Sequence, residues 1–383
     1  TYDENSNLLT QSVPGQGTTQ YQYDELNRVT RVTWPDNSTV QYGYDLNGNR
    51  TSMLDSVGTT SYSYDEANRV TSVTDPFGKV VSYTYDGVGN VKRIVYPGTK
   101  NLDYSYDAGE RLATVTNWLN HTTSYSYNKV HQLTQITNGN ATKATFGYDN
   151  ANRLTSMQNL KSSNAVISSH AFTLDANGNL QQSTVTLPLQ PTFKTANTSL
   201  AFDAANRIIT SGSTSFTHDL AGRIVAETTS GATKNYSYNY RDLITAITGS
   251  TDTYSYTYNG DGNRLAMTKN GVQTRYVLDL NQSLPDVLAE TNSAGTVTAY
   301  YTYGNGLISK IDAAGQEQWY HFDPTGNTLA LTDSSQNITD SYAYTPYGEI
   351  TVQGSTWNPF KYSGRHGVMD DANGLTYMRA RYY

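Results

Sequence analysis

The chain has 383 residues, of which 36% are hydrophobic and 33 are tyrosine, and its formal net charge is −7. An acidic chain without a run of Lys or Arg is a poor partner for nucleic acid or for an anionic membrane, and no stretch approaches a transmembrane span of about 18 apolar residues. The absence of cysteine excludes disulfides and thiolate chemistry. Tyrosine supplies much of the apolar area, which predicts a thin amphipathic sheet and no thick aliphatic core.

A Tyr-x-Tyr-Asp phrase recurs along residues 1–157 and predicts a repeat architecture. The Asp or Asn that closes the phrase returns at steps of 20 or 21 residues from Asp3 to Asp149. Such a constant step indicates one supersecondary unit stacked many times. We therefore expect an all-β fold: a single array of β-hairpins that forms a curved, spiralling ribbon, because a long right-twisted sheet must coil. No window keeps a helical apolar period, so almost no helix is expected.

Each unit predicts a strand, a turn and a second strand. The two tyrosines lie on one face of the first strand, and the Asp that follows can accept backbone hydrogen bonds and open a turn. Three residues later most units carry Asn or Gly, which tolerate a positive φ. The predicted turn residues are Asp24, Asn27, Asp45, Gly48, Asp65, Asn68, Asp86, Gly89, Asp149, Asn152, Asp203, Asn206, Asp219 and Gly222. In four units the third position carries Ser6, Glu110, His131 or Asp242, and the first two fit it less well.

The second strand of each unit places two apolar residues three positions apart, as Val29 and Val32 are. In a regular strand such residues point to opposite faces. Either both faces are partly covered, or a bulge turns one side chain to the other face. The sequence alone does not separate these alternatives.

The repeat is disturbed once, between about residues 158 and 200. The anchors Asp149, Asp175 and Asp203 are 26 and 28 residues apart there, and Pro188 and Pro191 lie in the gap. Because proline in a central strand loses a ladder hydrogen bond, we expect longer loops or an edge at this point. Roughly 18 units at a strand spacing of about 4.8 Å would make a ribbon on the order of 170 Å long, enough for about one turn of a ring.

The chain becomes less regular after about residue 300, where Trp and Pro concentrate. We therefore divide it into a hairpin array over 1–300, which includes the irregular insertion, and a capping segment over 301–383. We expect the segment to leave the ribbon and cover an open sheet edge, with Arg365, Arg379 and Arg381 paired to backbone or carboxylates. The alternative is that residues 301–383 continue the spiral as ordinary repeats.

The repeats resemble the YD repeats of RHS proteins, insecticidal Tc-toxin C components and teneurins, and the tail resembles the RHS-associated core region. The tail phrases lie at residues 321–327, 344–349, 358–365 and 374–383. The motif residues are Asp323, Pro324, Gly326, Pro346, Tyr347, Gly348, Gly364, Arg365, Gly374, Leu375, Tyr377, Arg379, Arg381 and Tyr382.

The resemblance implies a hollow shell that the core region closes at one end. In bacterial members the shell encloses a C-terminal toxin, which is released by aspartyl autoproteolysis at a motif beyond the Arg-Ala-Arg-Tyr-Tyr phrase. This chain opens inside a repeat at Thr1 and stops at Tyr383. We therefore expect a structural shell segment, truncated in its core region, of a larger bacterial protein that is secreted or displayed at the cell surface. Its expected partner is the rest of its own polypeptide, and we expect neither enzymatic activity nor a cofactor or metal in the chain as it stands.

Several constellations invite a functional interpretation but are better explained as turns. Residues 45–49 and 175–179 resemble the start of a calcium loop, yet Ser56 and Thr186 stand where an EF-hand needs Glu. Residues 323–326 match the Asp-Pro-x-Gly of the family's cleavage region but lie on the repeat period. Asp370 and Asp371 are adjacent, so an extended backbone directs them to opposite sides instead of into an aspartyl dyad.

The rows of tyrosine admit two interpretations. Aromatic side chains that repeat along a sheet can bind sugar rings, so the alternative function is a glycan-binding or surface-adhesion module. Stacking of tyrosine rings between neighbouring hairpins explains the same pattern without a ligand, and we favour it.

Overall fold

The computed structural model describes residues 1–193, 198–249, 251–346, 348–379 and 381–383, and it confirms the predicted all-β fold. Its strands form two long antiparallel sheets and one short hairpin. Within the described residues the one helical element is a 3-10 turn at Gly364–His366.

In both long sheets each strand pairs with the next strand along the chain. The first sheet consists of β1 (Thr10–Val13), β2 (Gly17–Tyr23), β3 (Val29–Thr33), β4 (Thr39–Tyr44), β5 (Arg50–Leu54), β6 (Thr59–Tyr64), β7 (Val70–Thr74), β8 (Val80–Tyr85), β9 (Val91–Tyr96), β10 (Lys100–Tyr106), β11 (Leu112–Thr116), β12 (Thr122–Tyr127), β13 (Leu133–Thr137), β14 (Lys143–Tyr148), β15 (Leu154–Leu160), β16 (Val166–Leu174) and β17 (Leu180–Thr186).

The second sheet consists of β18 (Leu200–Phe202), β19 (Ile208–Ser211), β20 (Thr214–His218), β21 (Ile224–Thr229), β22 (Ala232–Tyr238), β23 (Ile244–Thr248), β24 (Tyr254–Tyr258), β25 (Arg264–Lys269), β26 (Val272–Leu278), β27 (Val287–Asn292), β28 (Val297–Gly304), β29 (Gly306–Asp312), β30 (Glu317–Phe322), β31 (Thr328–Thr332), β32 (Ile338–Tyr344) and β33 (Ile350–Gln353). The short hairpin pairs β34 (Met369–Asp370) with β35 (Thr376–Tyr377).

The expected irregular insertion over residues 158–200 is narrower than predicted and divides the array. Strands β15, β16 and β17 occupy most of it as ordinary members of the first sheet. Only the segment 187–199 separates β17 from β18, and residues 194–197 of that segment lie outside the described part of the chain. The described hairpins of the ribbon thus form two long antiparallel sheets.

A β-bulge in the hairpins explains why the two apolar residues of the second strand are three positions apart. In the pair of β2 and β3, Tyr21 lies opposite Val32 and Tyr23 lies opposite Val29, with the register shift between Gln22 and Tyr23. One extra residue, Thr30, is accommodated in β3, so both valines lie on the tyrosine face. The same shift recurs in the hairpins that follow, for example β4 with β5 and β6 with β7.

The two sheets pack on one another instead of forming a single ring. On β28, Tyr300 contacts Trp118 of the first sheet at a ring-centroid distance of 5.0 Å, whereas Tyr301 contacts Phe360 of the tail at 4.9 Å. Since successive residues of a strand point to opposite faces, one face of β28 meets the first sheet and the other meets the tail. Both faces of β28 are therefore covered by other parts of the chain, and the expectation of a thin amphipathic sheet is wrong there.

The ribbon does not end at residue 300. Strand β28 spans that position, and the strand order continues without a break to β33, which ends at Gln353. Strands β29 to β33 therefore belong to the second sheet, and the division of the chain at residue 300 stays a prediction. The chain leaves the sheet after Gln353, and the described residues that follow contact strands of the second sheet from Arg264 of β25 to Thr328 of β31. The reason is chemical: the tail carries apolar and acidic side chains that complement buried groups of that sheet.

Candidate functional site: repeat turns, inter-sheet contacts and the docked tail

The repeat turns are built by one carboxylate each. In the turn between β2 and β3, Oδ1 of Asp24 accepts hydrogen bonds from the backbone N–H of Leu26 and Arg28 at 3.0 and 2.9 Å, and Oδ2 accepts one from Arg28 Nε at 2.7 Å. The backbone N–H of Arg28 lowers the pKa of Asp24 because it stabilises the charged carboxylate. The backbone N–H of the residue four positions ahead is likewise bound at Asp45, Asp65, Asp86, Asp149, Asp203 and Asp219.

Positive φ occurs at the third position of these turns whatever the residue type. The predicted Asn27, Gly48, Asn68, Gly89, Asn152, Asn206 and Gly222 have φ between 60° and 102°. The poorly fitting Ser6 and Glu110 also have positive φ, 67° and 58°. The hydrogen bonds of the turn thus impose the left-handed conformation even on residues that do not favour it.

Sequence reasoning missed how the second tyrosine of each phrase connects neighbouring repeats. The hydroxyl of Tyr44 donates to the carbonyl oxygen of Val29 at 2.8 Å, and the guanidinium of Arg28 lies 4.5 Å from the centre of the Tyr44 ring. Equivalent hydroxyl-to-carbonyl bonds are made by Tyr23, Tyr64, Tyr85, Tyr106, Tyr127, Tyr148, Tyr238, Tyr258, Tyr303 and Tyr344.

The tyrosine ladder is therefore polar, and the favoured ring stacking is wrong. Among the described residues, none of the close ring pairs joins equivalent tyrosines of neighbouring repeats. The signal that could have predicted the ladder is the Arg four residues after the anchor, together with the constant place of the second tyrosine.

Buried polar contacts connect the two sheets. The carboxylate of Glu317 in β30 is almost fully buried and accepts hydrogen bonds from Asn117 Nδ2 at 2.9 and 3.1 Å. It also contacts His121 Nδ1 at 2.6 Å and accepts from Ser309 Oγ at 2.5 Å. Asn117 and His121 belong to a turn of the first sheet, so one charge of the second sheet gathers donors from both sheets.

A second contact joins the sheets through Tyr83 of β8, whose hydroxyl donates to Asp279 Oδ1 at 2.6 Å. Burial raises the pKa of Asp279, while the Tyr83 hydroxyl opposes the rise. Nearby, burial raises the pKa of Asp286 to about 6, against the effect of Arg379 at 2.8 Å.

The tail is held on the second sheet by a buried ion pair. Arg264 of β25 and Asp371 each have only 1% of their side-chain surface exposed, and two nitrogens of Arg264 reach the two carboxylate oxygens of Asp371 at 2.5 and 3.0 Å. The guanidinium also lies 4.0 Å from the centre of the Tyr377 ring and donates to the Tyr382 hydroxyl at 3.1 Å. Asp370, by contrast, pairs with Lys361 at 3.0 Å, so the two aspartates have separate partners.

The three arginines of the tail differ in their contacts. Arg365 donates to the carbonyl oxygen of Asn305 at 2.9 Å, and Arg379 donates to Leu284 O at 2.6 Å and to Asp286. Arg381 is exposed and makes no side-chain hydrogen bond or ion pair with a described residue. Pairing thus holds for the first two arginines and fails for the third.

The remaining core-motif residues form turns and supports. Oδ1 of Asp323 accepts the backbone N–H of Asn327 at 2.9 Å, and the carbonyl oxygen of Gly326 accepts the N–H of Arg365 at 3.1 Å, so residues 323–326 are a repeat turn. Pro346 and Gly348 lie in the turn between β32 and β33, Gly364 opens the 3-10 turn, Gly374 has φ 88° and Leu375 packs against the core. Tyr347 lies outside the described residues.

The two calcium-like segments are also turns. Oδ1 and Oδ2 of Asp45 accept hydrogen bonds from the backbone and side chain of Asn49, and Asp175 accepts the same pair from Asn179. In the described part of the chain no group of three or more His, Asp or Glu side chains could hold a metal ion. That part also contains no helix long and apolar enough to cross a membrane.

Two family models match the chain, one over the repeats of its first half and the other over its second half and the tail. The model described as RHS Repeat matches residues 2–39, 44–80, 64–100, 85–122 and 127–160, and the model described as Teneurin YD-shell matches residues 157–383, more than half of the chain.

Among curated proteins, the chain is similar to two nucleases of Bacillus. The tRNA3(Ser)-specific nuclease WapA of Bacillus spizizenii is 33% identical over 220 residues, which are 55% of this chain and 9% of that protein. The tRNA nuclease WapA of Bacillus subtilis strain 168 is 32% identical over 220 residues, with the same coverage. The chain thus spans less than a tenth of the length of these relatives.

Among solved structures, the fold is similar to two crystal structures of TcdB2-TccC3. The first superposes with a TM-score of 0.66 at 14% identity and covers 99% of this chain and 27% of that chain. The second, TcdB2-TccC3 without its hypervariable C-terminal region, has a TM-score of 0.65 at 14% identity and covers 99% and 26%. With its repeats, its tail and its two open sheets, the chain belongs to the RHS and YD-repeat shell family.

Proposed function

We propose that this chain forms part of the wall of a YD-repeat shell that surrounds an effector domain of the same polypeptide. The observation that carries this proposal is the layered wall itself: two open sheets joined by buried polar contacts, with the tail docked on the face of the second. An open sheet of this length can be extended by further hairpins at its edges, as a larger shell requires. The names of the relatives support an effector, since one solved relative has a hypervariable C-terminal region and the curated ones are nucleases.

The test is protease protection in the parent polypeptide. We expect a C-terminal effector expressed with its shell to resist a protease that digests the same effector when it is expressed alone. In the parent carrying Asp371→Asn, which weakens the docking of the tail, we expect faster digestion of the effector. Asp370→Asn is the matched control, because its partner Lys361 is less buried than Arg264. An effector digested equally fast with and without the shell would refute encapsulation.

We propose that the chain has no enzymatic activity of its own and that the nuclease activity of its relatives resides outside the matched region. Several of its buried carboxylates have structural partners, as Glu290 has in the Tyr301 hydroxyl, Asp279 in the Tyr83 hydroxyl and Asp371 in Arg264. Purified chain incubated with total tRNA should leave the RNA intact, and it should produce no internal cut of its own backbone over time. A cut that is lost in Asp370→Asn or Asp371→Asn would overturn this proposal.

We also propose that the parent protein is secreted or displayed on a bacterial surface, as its resemblance to toxin shells suggests. Fractionation of the native host with an antibody against the repeats tests this, and a signal confined to the cytosol would oppose it.

The other candidate, a repeated glycan- or cell-surface-binding module, receives no support from the tyrosine rows. Three of their first tyrosines, Tyr62, Tyr83 and Tyr125, are buried in the common core and cannot present a ring face to a ligand.

A further inference from the structure

Strand β17 (Leu180–Thr186) is an open edge of the first sheet. It pairs with β16 on one side, and no described strand pairs with its other side. Every residue of β17 is exposed, which is true of no other strand in the described part of the chain. A strand that is covered on neither face and paired on one side only gains little from burial, so it is the part of the sheet that would gain most from a further neighbour.

Apolar side chains lie beside this edge on one face of the sheet. Leu180 and Val185 of β17 are 59% and 43% exposed. Val185 lies opposite His170 and Leu180 lies opposite Leu174 of β16, so these four side chains share one face. Phe172 lies between the last two on the same face of β16 and is only half-buried. The face next to the edge therefore presents an apolar patch to solvent.

The edge lacks the features that usually prevent pairing with another chain. Strand β17 contains no charged residue, proline or glycine, and it pairs regularly with β16 from Gln182 to Thr186. Native edges are normally protected by charges, proline, bulges or cover. The other open edges are shorter, with four residues in β1 and β33 and three in β18. On β1, moreover, the carbonyl oxygen of Thr1 accepts the N–H of Thr10.

The sequence neighbours of β17 do not supply the missing strand. In both long sheets each strand pairs with the next strand along the chain, but β18 pairs with β19 and belongs to the second sheet. Hairpins added before β1 would extend the opposite edge of the first sheet. The strand that matches β17 in length and has an equally bare edge is β17 of a second copy of the chain.

We propose that two copies of this chain associate through β17, paired antiparallel across a twofold axis perpendicular to the sheet, so that their first sheets join into one. Pairing of a strand with itself is isologous, so the contact closes as a dimer. Because β17 has no charge, no like charges face each other across the axis. The apolar patches beside Leu180 and Val185 lie on the same side of the joined sheet. The contact is independent of the enclosure of an effector.

Sedimentation of the full chain over a range of concentrations measures this association. An edge of seven residues is smaller than the standard interface of about 800 Å² per partner, so we expect a dissociation constant on the order of 10–100 µM. Each copy carries a net charge of −7, so added salt should screen the repulsion between copies and tighten the dimer. An association through ion pairs would weaken under the same salt and would oppose the proposal.

Lysine at the edge is the decisive variant. Val185→Lys places an ammonium group beside the axis on each copy and should weaken the dimer by about tenfold or more. Leu180→Lys is the second variant if the first fails to fold, which far-UV circular dichroism checks. Val272→Lys is the matched control: Val272 is 73% exposed, but it begins β26, which has a strand on each side. It makes the same change in net charge and should leave the equilibrium as it is.

Hydrogen exchange locates the contact. Amides of β17 should exchange more slowly at concentrations that form the dimer than at concentrations that do not, whereas amides of β18 and β33 keep their rates. The proposal is overturned if the chain stays monomeric, if it grows beyond a dimer, if a folded lysine variant of β17 dimerises as tightly as Val272→Lys, or if the slowed amides belong to β18 or β33. Binding of a different protein to β17 of a monomeric chain would assign the edge to that protein and would likewise overturn self-pairing.

Discussion

The strongest prediction concerns the ion pair that holds the tail. In Asp371→Asn the buried guanidinium of Arg264 keeps its charge and loses its counter-ion, while Nε of Arg264 already has no hydrogen-bond partner. Water cannot replace the lost carboxylate, because both side chains are 1% exposed. The tail should therefore detach from the second sheet far more often than in the parent chain.

The magnitude follows from the burial of the pair. Removing one partner of a buried ion pair costs about 3–5 kcal/mol, and we expect about 3 kcal/mol for Asp371→Asn because asparagine keeps one acceptor oxygen. Asp370→Asn is adjacent in sequence, but its pair with Lys361 is 14% and 19% exposed, so its cost should stay below about 1 kcal/mol. Arg264→Met combined with Asp371→Leu should recover much of the loss, since no charge is then left buried.

Hydrogen exchange measures this directly. The backbone N–H of Asp370 bonds to Pro359 O at 2.7 Å, and that of Tyr383 bonds to Thr376 O at 3.0 Å. A cost of about 3 kcal/mol should speed exchange at these tail amides by on the order of 100-fold, while amides of β6 in the first sheet keep their rates. Equal effects of Asp370→Asn and Asp371→Asn, or an equal acceleration in β6, would refute a local lock on the tail.

Three further predictions concern the ladder, the inter-sheet contact and pH. Tyr64→Phe removes a hydroxyl that donates to Arg50 O at 2.9 Å and should destabilise the chain by about 0.5–1.5 kcal/mol in urea unfolding. Glu317→Gln replaces a carboxylate that accepts several hydrogen bonds by an amide with a single acceptor oxygen. The free energy of unfolding should fall by about 2–3 kcal/mol, which unfolding followed by tryptophan fluorescence measures. Burial raises the pKa of the Asp286 carboxyl to about 6, so this group binds its proton more tightly in the folded chain than in the unfolded chain. Its contribution to stability is therefore fully present below about pH 4 and is lost as the pH rises through 6. Asp286→Asn should remove that slope, at most about 3 kcal/mol, from the pH dependence of thermal stability.

Each of these has a matched comparison. Tyr21→Phe loses only a 3.4 Å contact to Gln11 and should be nearly neutral, so equal losses at Tyr21 and Tyr64 would contradict the ladder. Glu66→Gln changes an exposed carboxylate and should leave the unfolding midpoint in place, unlike Glu317→Gln. For pH, the difference between Asp286→Asn and the parent isolates one group from the turn carboxylates, and a difference that stays constant between pH 4 and 7 would refute the assignment.

The repeat period predicted the hairpins, the turns and the absence of long helices, because these depend on local chemistry. The place of Asp24 and Asn27 in the turn follows from residues within four positions of one another. The same reasoning left the bulge open, because it requires knowledge of which residue of β3 lies opposite Tyr23. It also missed the hydroxyl of Tyr44, whose acceptor belongs to the preceding repeat.

Contacts between residues that are far apart in the sequence could not be predicted from local sequence patterns. Nothing near Arg264 in sequence indicates that Asp371, 107 residues later, is its partner. The contact of Glu317 with Asn117 spans 200 residues. The sequence predicted a capping tail, but not the groups that the tail contacts, because a complementary sheet face becomes visible only when the chain is folded.

The charged residues that become buried are nevertheless visible in the sequence, and most of them lie in the second sheet. Among the described residues, the buried charged side chains apart from Asp75 all belong to the second sheet or its turns and the tail, namely Arg264, Asp279, Glu290, Lys310, Glu317, Asp340 and Asp371. A sheet that is covered on both faces must pair every charge it buries, whereas a sheet with one solvated face can direct its charges outward. Charged residues that are buried within strands, such as Arg264, Glu290 and Lys310, therefore mark the part of the second sheet that is covered on both faces. In other YD arrays such residues should mark the strands that lie between an outer sheet and a docked tail.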